Sequence, residues 1–221
     1  MSTTAQRIID RANLILQDID NTRWSQSELL GWLNEAQLMI INLQPSAHSE
    51  YRELTLVAGT KQSLPEDNIR LLDIVRNLDG IYNSSIRVVS RLDLDTQVPF
   101  WHTHKPSHIV QHYMYDITEP DVFYVYPPIP EEVLDQNGDP LPHTVGKIDS
   151  LLAVVPPDME DVQGTITLKD IYVPALVDYV VYRAYSKDAE SSANQNLKQM
   201  YYEQFLSALG RQDTANTSTA A

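Results

Sequence analysis

The chain has 221 residues, 43% of them apolar and 21% charged, so it is long enough to bury about 70% of its unfolded surface and too apolar for wholesale disorder. It contains no cysteine, which excludes disulfide frameworks, thiolate metal sites and cysteine nucleophiles. A net charge of −14 with few, scattered Lys and Arg excludes the basic surface that duplex binding needs and fits either plain solubility or a surface that DNA passes without adhering.

The N-terminus has no long apolar run and carries Asp10, so no signal peptide is expected. No segment approaches the roughly 20 apolar residues of a membrane helix, and a soluble product of the cytoplasm without membrane contact is expected. Residues 5–20 predict an amphipathic helix from the spacing of Ile8, Ile9, Ala12, Ile15, Leu16 and Ile19. After a polar loop, Ser25 and Glu28 form the S-x-x-E of a capping box, with Trp24 and Leu29 placed as a hydrophobic staple. Leu29, Trp32, Leu33, Ala36, Met39, Ile40 and Leu43 continue one stripe, and Pro45 stops the helix.

Between 50 and 170 helical periodicity gives way to short β-prone runs: Tyr51–Ala58, Ile69–Leu78, Ser85–Leu92, Ile109–Tyr115, Val122–Tyr126, Ile148–Val155 and Thr165–Leu168. Pro127-Pro128 and Pro156-Pro157 mark expected strand ends. Pro130 to Pro142, with Asn137-Gly138-Asp139-Pro140, predicts a long loop. Helix returns near Pro174, a first-turn proline, and residues 171–185 are so uniformly apolar that burial on all sides is expected, within the domain or partly by a neighbour. A last helix from Ala193 to Leu209 carries Leu197, Met200, Tyr201, Phe205, Ala208 and Leu209, with Gly210 as its expected stop. The polar end, 211–221, predicts a flexible tail.

The expected fold class is therefore α+β, a four-helix bundle-like core from N- and C-terminal helices with a β-rich insertion between them. The expected segments are N-terminal helices over 1–49, the insertion over 50–170, C-terminal helices over 171–210 and the tail over 211–221.

Chemistry-bearing patterns are few. His102, His104, His108 and His112 cluster, but no carboxylate stands at a ligand spacing and no H-E-x-x-H occurs. Asp93 and Asp95 read as one polar strand face, and Asp135, Asn137 and Asp139 miss the EF-hand pattern. G-x-S-x-G, Walker A and G-x-G-x-x-G are absent. No catalytic residue, cofactor or metal site is expected. The 12 tyrosines gather in YMYD, FYVYPP and DYVVYRAYS. Tyr179, Tyr182 and Tyr185 rotate around the helix, so some should meet a partner subunit or an internal sheet.

RWSQSELLGWLNEAQ, PFWHT, FYVYPP and DIYVPALVDYVVYRAYSKDAE resemble segments of tailed-phage head-to-tail adaptors, called tail tubular proteins in short-tailed phages. The resemblance spans Arg23 to Gly210 and is most specific in the C-terminal motif. It implies a non-enzymatic virion protein of the neck or tail, made in the host cytoplasm. It further implies a dodecameric ring that binds the portal protein, docks the tail nozzle or other tail proteins, and lets the genome DNA pass through its lumen without specific binding. By analogy, Arg211–Ala221 is a candidate portal-binding arm. Candidate residues for a subunit or partner interface are Trp24, Trp32, Tyr179, Tyr182, Arg183, Tyr185, Arg211 and Gln212. Two alternatives stay open: another neck or tail component such as a gatekeeper or nozzle protein, and a metal-binding protein or enzyme using His102–His112.

Overall fold

A computed structural model describes residues 3–78, 83–131, 146–188 and 191–218, with side chains as far as 210. It shows a mixed α+β chain with five α-helices and two sheets among the described residues. The chain divides into two compact units. One joins Met1–His48 to Pro156–Ala221, and the other is Ser49–Val155.

The first unit is helical. Helix α1, Ala5–Leu16, buries Ile8, Ile9, Ala12 and Leu16. It ends a turn earlier than the apolar spacing predicts, leaving Ile19 70% exposed. The reason is Asp18. Gln17 takes a left-handed φ of 57°, and the Asp18 carboxylate then accepts the backbone N–H groups of Thr22, Arg23 and Trp24 and the Thr22 hydroxyl. A short acidic side chain that satisfies several loop donors competes well with one more helical turn.

Helix α2, Gln26–Leu43, starts as its sequence predicts. Ser25 Oγ accepts from Glu28 N at 3.4 Å and Glu28 Oε2 accepts from Ser25 N at 3.3 Å. Its buried face is Leu29, Leu30, Leu33, Ala36, Gln37, Ile40 and Ile41, while Leu43 stands 49% exposed. Residues 156–169 belong to this unit without forming a strand. Asn34 anchors them by donating Nδ2–H to Met159 O and accepting Met159 N–H, both at 3.1 Å. The run Thr165–Leu168 contributes one isolated bridge, Thr4 with Thr165, because the Thr167 N–H is taken by the buried Gln37 side chain.

Helix α4, Val173–Lys187, places Pro174 in its first turn and buries Val173, Ala175, Leu176, Val177, Tyr179, Val180, Val181 and Ala184. It packs on α1, α2 and α5. Helix α5, Ser192–Ser218, does not use the expected stop at Gly210. Nothing lies within 4 Å of where a Cβ at Gly210 would stand, so no close approach or left-handed backbone sets this glycine apart from the helix around it.

The second unit holds both sheets. One has the order β1-β7-β3, from Ser49–Thr55, Lys147–Val154 and Asn68–Asn77, all antiparallel. The other has the order β2-β6-β5-β4, from Gly59–Ser63, Val122–Ile129, His112–Tyr115 and Arg87–Val88. Its β4–β5 pair is parallel. A single apolar cluster drawn from both sheets includes Leu71, Ile74, Tyr113, Phe123, Val125, Ile148, Leu152 and Val154. Buried Asn77 ties this core together. It donates to Ser84 O and Val110 O and accepts Val110 N–H.

Several expectations in this unit are corrected. Strand β6 runs through Pro127 and Pro128 to Ile129. The prolines offer no N–H, but Tyr126 O and Pro128 O accept from Gln111 N and Ser107 N, and the register with β2 is irregular at that end. The run 85–92 yields only a two-residue strand, and Arg91–Gln97 is a helix, α3. Asp93 and Asp95 therefore share no strand face. The segment 109–115 pairs only from His112 onward, and β2 lies where no strand is predicted. The loop residues Asn137–Pro140, with Asp135, lie outside the described residues.

Candidate functional site

The tyrosines that the sequence leaves without a surface find one inside the chain. Tyr179 meets Phe205 at 5.1 Å between centroids, Tyr182 meets Tyr202 at 5.0 Å, and Tyr185 stacks on Tyr201 at 5.9 Å with planes 16° apart. These are successive rungs of two antiparallel helices, α4 and α5. These contacts bury Tyr179 fully and leave Tyr182 and Tyr185 half-buried. Aromatic pairs in such edge or offset contacts add about 0.5–1.5 kcal/mol each beyond their area.

Charged contacts join α4 and its C-terminal end to α2 and the turn before it. Tyr179 Oη donates to Glu35 Oε1 at 3.0 Å and Arg183 Nε lies 3.3 Å from Glu35 Oε2, tying α4 to α2. Burial, with Glu35 beside it, pushes the Tyr179 hydroxyl well above the usual phenol range. Lys187 pairs with Glu28, and Arg23 pairs with Asp188 while lying over the Trp24 ring. The Lys187 ammonium, through its hydrogen bond, holds the Glu28 carboxyl below its usual value.

Of the predicted interface residues, Trp24 is 3% and Tyr179 2% exposed. Their area is already used within the chain. Trp32, Tyr182, Arg183 and Tyr185 are half-buried. The side chains of Arg211 and Gln212 lie outside the described residues.

The histidine-rich stretch of the second unit spreads rather than converges. Trp101 stacks on His102 at 3.6 Å between centroids and donates Nε1–H to Asp95 at 2.8 Å. His102 Nδ1 bonds Thr60 Oγ1 at 2.8 Å, while His104 Nδ1 bonds Tyr126 Oη at 3.0 Å. His112 lies parallel to the Tyr126 ring at 6.1 Å. His102 lies within a short 3-10 turn, Trp101–Thr103, and His104 follows as its C-cap. Among the described residues no three His, Asp or Glu come together as metal ligands.

Two depressions remain. A groove of about 560 Å³ in the second unit is bordered by Arg91, Leu92, Asp116, Ile117 and Glu119, with Leu92 72% and Ile117 57% exposed. A cleft of about 380 Å³ in the helical unit is lined by Arg11, Leu14 and Ile15 of α1 and Pro174, Val177 and Asp178 of α4. Sequence reasoning missed both. The cleft's signal was present as two i, i+3, i+4 triplets, 11-14-15 and 174-177-178, but a triplet does not say whether its helix neighbour covers it. No described helix is long and apolar enough to cross a membrane.

Compared with known proteins, residues 3–221 match the family model described as SU10 adaptor protein. No curated protein matches the chain.

Proposed function

The chain belongs to the SU10 adaptor protein family, and on that premise we propose that it is a structural, non-catalytic component of a tailed-phage virion. Its copies form a ring in the neck, under the portal protein, that continues the DNA channel and offers a surface to the tail. The observation that carries this reading is the family match over nearly the whole length, 3–221. It covers both the helical and the β-rich unit.

Other features support it. Helices α1, α2, α4 and α5 pack together, which fits a bundle-like core acting as the rigid body of each ring subunit. The half-buried Trp32, Tyr182, Arg183 and Tyr185 are amphipathic or aromatic, the side chains favoured where proteins meet. Residues 211–221 are the candidate portal-binding arm. The net charge of −14 repels phosphates, so genome DNA would slide past without specific binding. A ring is built from heterologous contacts that close by rotation.

Purified chain mixed with its phage's portal protein and imaged by cryo-electron microscopy tests this. A ring of copies on the portal's tail-proximal face is expected. A chain that leaves the portal bare, or one located in the tail tip of the intact particle, would replace the adaptor assignment with another tail role.

A further inference from the structure

Asp178 is chemically out of place. It lies in the middle of α4, between Val177 and Tyr179, in a segment otherwise buried or aromatic. It faces the cleft formed by Arg11, Leu14 and Ile15 on one side and Pro174 and Val177 on the other. Burial raises its carboxyl to about 6. Arg11 stands at the exposed rim, where water screens it. Tyr201 of α5 also feels the carboxylate. Around it, Leu14 is 66% and Ile15 38% exposed, although a monomer normally keeps such groups inward. A half-buried acid set among apolar side chains, with no hydrogen bond or ion pair to it found among the described residues, marks a place where stability is traded for something else.

We propose that this cleft is a docking site for a partner polypeptide presenting an arginine or lysine flanked by apolar residues, with Asp178 receiving the cation and Leu14, Ile15, Pro174 and Val177 gripping its neighbours. Charge complementarity selects a basic partner of another sequence over a second copy. Each copy carries −14, with 30 acidic against 16 basic residues, so two copies repel overall while a basic partner is attracted. The inference rests on the adaptor reading only for the supply of such a partner.

The probe is acetyl-Ala-Leu-Arg-Leu-Ala-amide, titrated into the isotopically labelled full chain above pH 6 and followed by amide shifts. Perturbation confined to residues 11–15 and 171–178 is expected. The citrulline analogue should bind about tenfold more weakly, a charge-assisted hydrogen bond being worth about 1.5–3 kcal/mol. Asp178→Asn should make the two peptides bind alike, and Arg11→Gln should tighten the arginine peptide. Equal affinity of the two peptides for the unmodified chain would overturn the proposal. So would shifts elsewhere, no shift at low-millimolar peptide, or concentration-dependent broadening of the same amides, which would make the occupant a second copy. Ring assembly on the portal separates the two readings: equal affinity of the two peptides with a normal ring removes the docking site and leaves the adaptor reading intact. Failure of the unmodified chain to assemble removes the adaptor reading instead, whatever the peptide does.

Discussion

Two acids of the helical unit titrate in opposite directions, and each direction gives a prediction. Asp18 is held below its ordinary 3.8 by the N–H groups and hydroxyl it accepts, the Trp24 N–H foremost. A depressed folded pKa means its contribution is present above 3.8 and lost as pH falls through the lower folded value. Asp18→Asn should therefore flatten the acid limb of the stability curve below pH 4, read by chemical denaturation at stepped pH. Asp178 runs the other way, from 3.8 to about 6. The folded chain holds its proton longer than the unfolded chain, so stability falls as pH rises from 4 to 6 and the penalty is complete above that. Asp178→Asn should stabilise the chain at pH 7 by about 1 kcal/mol, discounted for its half-exposed position, and by nothing near pH 3.5. Neither acid was legible in the sequence. Asp18 fell inside the predicted helix over 5–20, and Asp178 inside an apolar run, because what sets each one's role is where backbone donors and buried methyl groups arrive in space.

Elements were legible where a local signal sufficed. The capping box at Ser25 and Glu28, the stop before Pro45 and the first-turn Pro174 rest on side chains that act within one turn. The misses lie where a distant partner decides. Strand β6 crosses two prolines because Gln111 and Ser107 donate to its carbonyls. Asp95, in a segment that alternates like a strand, sits on a helix whose tryptophan neighbour donates to it. Part of the all-round apolar character of α4 is met by α5, since Tyr182 and Tyr185 find Tyr202 and Tyr201. Phe205, fully buried against Tyr179, should cost about 3–5 kcal/mol when cut to alanine, measured by urea unfolding. In the other unit Asn77→Ala leaves the N–H and C=O of Val110 unanswered in a dry core. A loss of about 2–3 kcal/mol is expected, with hydrogen exchange rising first at 84–86 and 110.

At the scale of the whole molecule, charge is the property that sequence reports most directly. With 30 acidic against 16 basic residues and an isoelectric point near 4.6, the chain should be least soluble near that pH and clear again on either side, which light scattering across a pH series checks. Topology carries a different lesson. Ser49 opens the β-rich unit, and its Cα partner is Ala153, two residues from the unit's end at Val155. Paired antiparallel neighbours stand about 5 Å apart, so the polypeptide leaves the helical scaffold and comes back through almost the same doorway. Whatever is threaded between those two posts can be lengthened, shortened or exchanged without re-routing the scaffold itself. Evolution can therefore restyle this module while the helices keep their path, and an engineer can graft a reporter domain between the same two strand ends.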